Sequence, residues 1–383
     1  EGEGGKLAPE AQIIVTGCWL TMKEASLLLG ELARTVPLPA TESPAASGEG
    51  APLLAAPQLQ AVGEYFLTCL MTIRHSGAVD KTQTGFVALC RRLLQSPLPS
   101  LNKLPARWLQ QLLGRLALPG QGLNDLVRRS GGLPHAFMAL FLAEPRAAAR
   151  ALFPGGMRAL LDLAGGADTA DPVPAALDPA VRGGDKQGVI PAPRVHALNI
   201  LRMVFNDTEL SVDASGYCSE GVITSITGFS SAHWEVRNAA LLSYVSLVTR
   251  IVGYKNVLEA SSARRSITSS EFFQRYPRLH PFLLKELGAA TDRLEHLART
   301  RGAQELGRAS PQDIHPSLYP VLVLLSRLRP SLHSQKTLQD DPLSPAAFQP
   351  LVARCARSAP LVVRELASSA LAPLVPPEEI LAT

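Results

Sequence analysis

Apolar residues recur every three or four positions along almost the whole chain, and this constrains the fold more than any single motif does. Between positions 19 and 36, Leu20, Ala25, Leu27, Leu28, Leu29, Leu32, Ala33 and Val36 form a wide apolar stripe. Between 195 and 205, Val195, Leu198, Leu201, Val204 and Phe205 return at intervals of three or four, with Ala197 and Met203 adding helix propensity. Such spacing keeps these residues on one face of a helix, whereas a half-buried strand needs alternation by two. Strand-like alternation is hard to find. Pro37, Pro97, Pro119, Pro154 and Pro320 punctuate the patterns where helices should stop or start. About fifteen helical patterns can be traced in this way, which predicts an all-α chain.

Composition narrows the class. Hydrophobic residues make up 46% of the 383 positions, too many for a mainly disordered protein. Aromatics are only 5%, which argues against a β-sandwich or propeller. No uninterrupted apolar run reaches about 18 residues, so no membrane span is expected. The net charge of +4 is too small to mark a nucleic-acid binder by itself. Cys18, Cys69, Cys90, Cys218 and Cys355 are odd in number and far apart, fitting neither a disulfide framework nor a zinc site. They read as buried thiols in a reducing compartment, which points to the cytoplasm. The chain begins with Glu1 inside an EGEGG stretch and ends at Thr383 without a closing motif, so it reads as a piece of a longer protein.

Two stretches lack an apolar face. Residues 37–57 and 164–193 are rich in Ala, Pro, Gly and Ser or Asp, and are expected to be disordered insertions between helices. A polar stretch at 333–345 reads as a loop. Elsewhere a weak internal repeat is visible. WEVRNAALLSYVSLV (234–248) and LVVRELASSALAPLV (361–375) both carry Val-Arg before an apolar helical run, and Arg364 follows Arg237 by 127 residues. That is close to three periods of about 42, a length typical of HEAT or armadillo helix pairs. WLTMKEASLLLGELA (19–33) places Lys23 in a similar setting. In the HEAT pattern the base is expected to reach back to an acidic or carbonyl group in a neighbouring repeat. The expected architecture is one continuous HEAT/armadillo-like α-solenoid over 1–383, about eight helix pairs, with a long concave surface.

No catalytic constellation stands out: the chain has no GxGxxG, P-loop, HExxH or CxxC motif. The most unusual local sequence is Arg128-Arg129-Ser130-Gly131-Gly132-Leu133-Pro134. A nucleophilic Ser130 would need a base and an orienting group, and only His135 is near in sequence. The backbone offers a better reading. Gly131-Gly132 permits a sharp turn and a close approach, and Pro134 suits the first turn of a following helix. That helix N-terminus, with Arg128 and Arg129 before it, would suit a phosphate or a partner carboxylate. Residues 120–160 hold Arg128, Arg129, Arg146, Arg150 and Arg158 against Asp125 and Glu144, so most of the excess charge is local. The competing reading is a solvated turn whose arginines pair with the next repeat.

Other candidates have two readings each. In RVHALNILRMVFND (194–207), His196, Asn199 and Arg202 or Met203 share a helix face, either as a polar ridge lining a groove or as core and edge residues. In GFSSAHWEVRN (228–238), His233, Trp234, Arg237 and Asn238 stand at a helix start, with Ser230 or Ser231 as caps. Trp234 would either stack on a base or close the gap between two helix pairs. Thr268-Ser269-Ser270-Glu271 reads as a helix cap with Glu271 in the first turn.

Taken in order, several segments resemble the thyroid adenoma-associated protein (THADA) family. They are GCWLTMKEASLLLG (17–30), RRSGGLP with its following helix (128–145), RVHALNILRMVFNDTELS (194–211) and GFSSAHWEVRNAALLSYVSLVTRIVG (228–253). SSEFFQRYPRLHPFLLKEL (269–287), HPSLYPVLVLLSRLRP (315–330) and VVRELASSALAPLV (362–375) continue the series. The resemblance covers nearly the whole chain and looks like the family's central domain. It implies a large HEAT/armadillo-like protein without a catalytic site of its own. The fungal member pairs with an FtsJ-type methyltransferase and directs it to ribose 32 of the tRNA anticodon loop. S-adenosylmethionine would then sit on that partner, and no cofactor is expected here. The family's arginine–serine–glycine–leucine–proline element, needed for the modification, maps onto Arg128, Arg129, Ser130, Gly131, Leu133 and Pro134. The family usually has Ala where this chain has Gly at 131 or 132, a departure expected to loosen the turn by about 1 kcal/mol. Animal members have also been tied to calcium-pump regulation, which makes a protein-interaction scaffold the alternative function.

Overall fold

The computed structural model describes residues 8–39, 53–118, 130–146, 150–166, 191–253, 267–301, 313–331 and 341–375. They form helices and turns, and the sheet-like pairing among them is one isolated parallel bridge between Thr268 and Arg329. The chain is all-α, as its periodicity requires. It divides into two compact units, Glu1–Leu163 with Val189–Leu210 and Ala164–Gly188 with Ser211–Thr383.

The first unit begins with α1 (Pro9–Thr35), α2 (Ala56–Thr72) and α3 (Ser76–Leu94), then the short α4 (Pro99–Asn102) and α5 (Leu104–Leu116). α6 (Leu133–Ala143), α7 (Leu152–Gly165) and α8 (Ala192–Asn206) complete it. α1 lies along α3 at small residues: a Cβ on Gly30 would sit 2.6 Å from the Cα of Gly85. Ser26 and Thr82 exchange a buried hydroxyl hydrogen bond of 3.1 Å in the same seam. The opposite face of α1 exposes Ile13, Ile14, Leu20 and Leu28. By length and composition α1 could cross a membrane, which a search for an unbroken apolar run misses because charged residues interrupt it.

α6 occupies the centre of this unit. Its sequence, LPHAFMALFLA, is apolar on every side, and such a helix must be covered all round. Phe137, Ala139, Leu140, Phe141 and Ala143 are fully buried, with α3 and α8 packed against the helix. At its C-terminal end the buried Glu144 accepts hydrogen bonds from Ala151, Leu152 and Phe153 N–H, at 2.5, 2.8 and 2.9 Å. One carboxylate thus satisfies the opening amides of α7, complementing the positive end of that helix.

The second unit contains α9 (Ser211–Ser215), α10 (Cys218–Gly228), α11 (Trp234–Val252), α12 (Ser269–Arg275), α13 (Leu279–Arg301) and α14 (Leu318–Ser326). A 3₁₀ turn (Pro345–Phe348), α15 (Gln349–Ala356), α16 (Leu361–Leu371) and a last 3₁₀ turn (Ala372–Leu374) follow. α10 packs closely on α11, where a Cβ on Gly228 would meet the Ala240 Cβ at 2.7 Å. α12 opens with the anticipated capping box. Glu271 N–H donates to the Thr268 hydroxyl at 3.3 Å, and the Glu271 carboxylate accepts from Thr268 N–H at 3.0 Å.

The Val-Arg repeat has a shared geometry, though not the one expected. Arg237 donates to the carbonyls of Ser231 and Ala232, both at 2.8 Å. Arg364 donates to those of Ser358 and Ala359, at 3.1 and 2.6 Å. Each guanidinium closes the turn before its own helix and does not reach a neighbouring repeat. Lys23 is not a third example. It stands in the middle of α1, 3.4 Å from Glu24.

The helix ends trim the predicted insertions. Ala56 and Pro57 already belong to α2, whose start is held by Gln58 Oε1 accepting from Ala55 N–H at 2.8 Å. Ala164 and Gly165 end α7, Ala192 and Pro193 open α8, and Pro345 opens a 3₁₀ turn. The remaining parts of these stretches, 40–52, 167–190 and 333–340, lie outside the described residues.

Candidate functional site

The entry into α6 is tightly constrained backbone. Ser130 has φ +74°, the single positive φ of a non-glycine residue among the described residues, and Gly131 follows at +58°. A left-handed L-residue costs about 1–2 kcal/mol, so such a conformation persists only where its surroundings impose it. Gly132 returns to φ −86° as the N-cap of α6, with Leu133 first in the helix and Pro134 second. The helix thus begins one residue earlier than predicted, and Pro134 occupies the first turn, where its missing N–H removes no helical bond.

The close approach expected of the glycines is internal. A Cβ on Gly132 would lie 1.9 Å from the Leu70 carbonyl oxygen, so no side chain fits there. A Cβ on Gly131 would sit 3.5 Å from Arg74 Nη1, an ordinary contact. Position 131 is therefore the one of the two that can accept the family's alanine. Glycine there does not loosen the turn in net terms. The backbone entropy it adds is offset by left-handed strain of the same size that an alanine would carry.

The side chain of Ser130 explains what imposes the turn. Its Oγ is 2.7 Å from His196 Nδ1 and accepts a hydrogen bond from Asn199 Nδ2 at 3.0 Å. Ser130, His196 and Asn199 are all buried, exposed by only 5%, 2% and 4%. The Ser130 hydroxyl, one donor with two acceptor sites, engages both partners at once, accepting from Asn199 Nδ2 and pairing with His196 Nδ1. His196 and Asn199 come from successive turns of α8, so the helical spacing was legible. Their direction was not: they point into the unit and do not form a polar ridge along a groove.

Around this turn Met71, Arg74, Arg115, Leu116, Ser130, Gly131, Gly132, Leu133 and His196 line a cleft of about 50 Å³. That is the volume of one or two water molecules, too little for a nucleobase. What the cleft presents is charge. Arg74 follows α2 and Arg115 lies in the last turn of α5, both exposed. Sequence reasoning missed this pair, because nothing in the local sequence of either arginine links it to a turn that begins at Ser130.

The other predicted residues fall elsewhere. Arg128 and Arg129 lie outside the described residues. Arg202 is half-buried on α8 and is not among the residues lining the cleft. Arg146 and Arg150 belong to the far end of α6, about 16 Å along the helix axis from its start. There Arg146 donates to the Glu209 carbonyl at 2.6 Å. Arg158, the remaining described member of this cluster, lies inside α7. In the second unit Trp234 opens α11 and is 63% exposed, so it does not close a gap between helices. Asn238 is exposed one turn later, and Arg237 ties the preceding turn. Ser230 does not cap α11, and the Ser231 hydroxyl accepts from His233 N–H at 3.2 Å, outside the helix.

Chemically the site is a held turn beside cations. Ser130 Oγ points inward and is engaged by two partners, which leaves it poorly placed to attack a substrate. His135 is turned away to Gln83, and burial lowers its pKa against the opposing pull of Asp80. Among the described residues no group of three His, Cys, Asp or Glu is placed to hold a metal ion.

Two family models match the chain. The one described as THADA/TRM732, DUF2428 covers residues 2–235, and one described as Trm732, C-terminal TPR repeats covers 237–383. A dog protein named tRNA (32-2'-O)-methyltransferase regulator THADA is 37% identical over 97% of this chain and 17% of its own length. The human protein of that name is 35% identical over 95% of this chain and 17% of its own. The regulator trm732 of Schizosaccharomyces pombe is 28% identical over 97% of this chain and 22% of its own. The chain thus spans about a fifth of the length of these curated relatives. No solved structure matches. With the first model covering well over half of the chain, and the residues around Ser130 inside it, the chain belongs to the THADA/TRM732 family.

Proposed function

We propose that this chain is part of a non-catalytic regulator of tRNA 2'-O-ribose methylation at nucleotide 32, working with a separate FtsJ-type methyltransferase. The observation that carries this is the Ser130–Gly132 turn. It is strained, anchored from inside, and aligned with the start of the central helix, next to Arg74 and Arg115. Strain that the interior holds in place clusters at functional sites. A turn preceded in sequence by Arg128 and Arg129 suits phosphate or carboxylate recognition by guanidinium groups.

On this reading the turn positions tRNA through backbone phosphates, and the partner supplies S-adenosylmethionine and the methyl transfer. The names of the relatives, regulators of a tRNA methyltransferase, support the division of labour. Four of the five thiols are buried and free, in keeping with a reducing, cytoplasmic setting.

The test uses the full-length protein with Arg128 and Arg129 changed to Ala, following co-purification of the methyltransferase and ribose methylation at nucleotide 32. Loss of methylation with the partner retained is the expected result. If neither changes, the turn is structural, and a protein-interaction scaffold becomes the better account.

A further inference from the structure

We propose that His196 and Asn199 are positioning residues, which set the geometry of the Ser130–Pro134 turn by holding Ser130 in its left-handed conformation. The inference rests on the functional reading above, but its first test does not depend on it.

The argument begins with an imbalance. Serine at φ +74° is strained, and nothing local favours it. Glycine at 130 would remove the strain at no steric penalty. What serine adds is a hydroxyl, and that hydroxyl is fully engaged: His196 Nδ1 at 2.7 Å on one side, Asn199 Nδ2 at 3.0 Å on the other. Leaving these buried donors and acceptors without partners costs more than the strain of one left-handed residue, so the contact can hold the turn. The turn is fixed a second time at Gly132, against the Leu70 carbonyl. Held from α8 at one residue and from α2 at another, the backbone from Ser130 to Gly132 has little freedom of direction. A turn that must meet a tRNA docked at a separate catalytic subunit needs such a fixed geometry, because a misplacement of about 1 Å can cost about 100-fold in rate.

The geometry also says which substitutions should work. Nδ1 of histidine and the terminal atoms of asparagine are both attached to Cγ, whereas those of glutamine lie one bond further out. His196→Asn can keep a partner for Ser130 Oγ; His196→Gln and His196→Ala cannot.

The test takes the full-length protein with its methyltransferase and compares His196→Ala, His196→Gln, His196→Asn, Asn199→Ala and Ser130→Gly. Ser130→Gly tolerates the positive φ, so it stays folded even if the histidine variants do not. The first readout is amide hydrogen exchange at Gly131–Leu133. Ser130→Gly, His196→Ala and His196→Gln should accelerate it selectively, while His196→Asn restores protection. The second readout is methylation at nucleotide 32 with partner binding measured alongside. The same three variants should lose about 100-fold in kcat/KM while still binding the partner. The Ser130→Gly/His196→Ala double variant should be no worse than either single, because both remove one interaction.

Unchanged exchange in Ser130→Gly and His196→Ala would overturn the proposal outright. Accelerated exchange with undiminished methylation, where Arg128→Ala/Arg129→Ala abolishes methylation, would overturn its functional half. If that arginine variant leaves methylation intact, the proposed function fails by itself, and exchange still decides whether His196 and Asn199 hold the turn.

Discussion

The hydroxyl of Ser130 lies 2.7 Å from Nδ1 of His196, 66 residues further along the chain, and both groups are buried. This contact joins the start of the central helix α6 to α8. It turns the motif around Ser130 from a surface loop into an extension of the core. Ser130→Ala would leave His196 and Asn199 without their shared partner, and the first unit should lose about 2–4 kcal/mol of stability. Urea unfolding followed by circular dichroism measures this, and a change near zero would mean the contact does not persist in solution.

The two glycines of the turn should behave differently. Gly131→Ala makes only an ordinary contact with Arg74, and its left-handed strain is offset by the chain entropy it removes, so the net change should stay below about 0.5 kcal/mol. Gly132→Ala drives a methyl group into the Leu70 carbonyl and should cost about 3 kcal/mol, or force the turn to move. Melting temperatures of the two variants, measured side by side, check the order.

Arg237 and Arg364 are equivalent in role. Each holds two carbonyls of the turn before its helix, so Arg237→Ala and Arg364→Ala should each destabilise by about 1–2 kcal/mol. Lys23→Ala, which removes only an exposed pairing with Glu24, should change stability by less than about 0.5 kcal/mol. A lysine variant as damaging as the arginine variants would count against the distinction.

Trp234 is 63% exposed at the start of α11, with Leu241 and Val245 exposed further along the same helix. Trp234→Ala should leave the melting temperature almost unchanged, within about 0.5 kcal/mol. A large loss would show that the ring is covered in the folded protein.

Two histidines make stability depend on pH. Burial lowers the pKa of His135, opposed by Asp80. His315 is lowered by burial as well, with Glu286 opposing and Arg293 reinforcing the shift. The folded protein therefore favours the neutral rings, while the unfolded chain takes up protons near pH 6.5. Their contribution is complete above about pH 6.5 and is lost as the pH falls through the lower folded values. Unfolding free energies from pH 7.5 down to 5 should decline, and His135→Asn should flatten part of that slope.

Much of this protein was legible in its residues. The 3.6-residue period of apolar side chains determined that the chain is helical, since that spacing buries one face of a helix and cannot bury one face of a strand. The central place of the uniformly apolar LPHAFMALFLA, a pattern that a helix can satisfy only by being covered on every side, became visible only in its packing. Ser-Gly-Gly-Leu-Pro marked a turn into a helix, because glycine and proline restrict the backbone in ways that are local. Thr268 and Glu271 formed their cap for the same reason.

Tertiary structure decided the rest. Whether His196 and Asn199 faced a groove or the interior depended on which side of α8 meets α6. Whether the bases of the Val-Arg repeat reached a neighbour or their own turn depended on turn geometry. That Leu70 forbids a side chain at 132, and that Arg74 and Arg115 share a cleft with Ser130, depended on three helices converging. A helical period specifies which residues share a face. What that face meets is set by packing between segments far apart in the chain, and no local pattern carries that information.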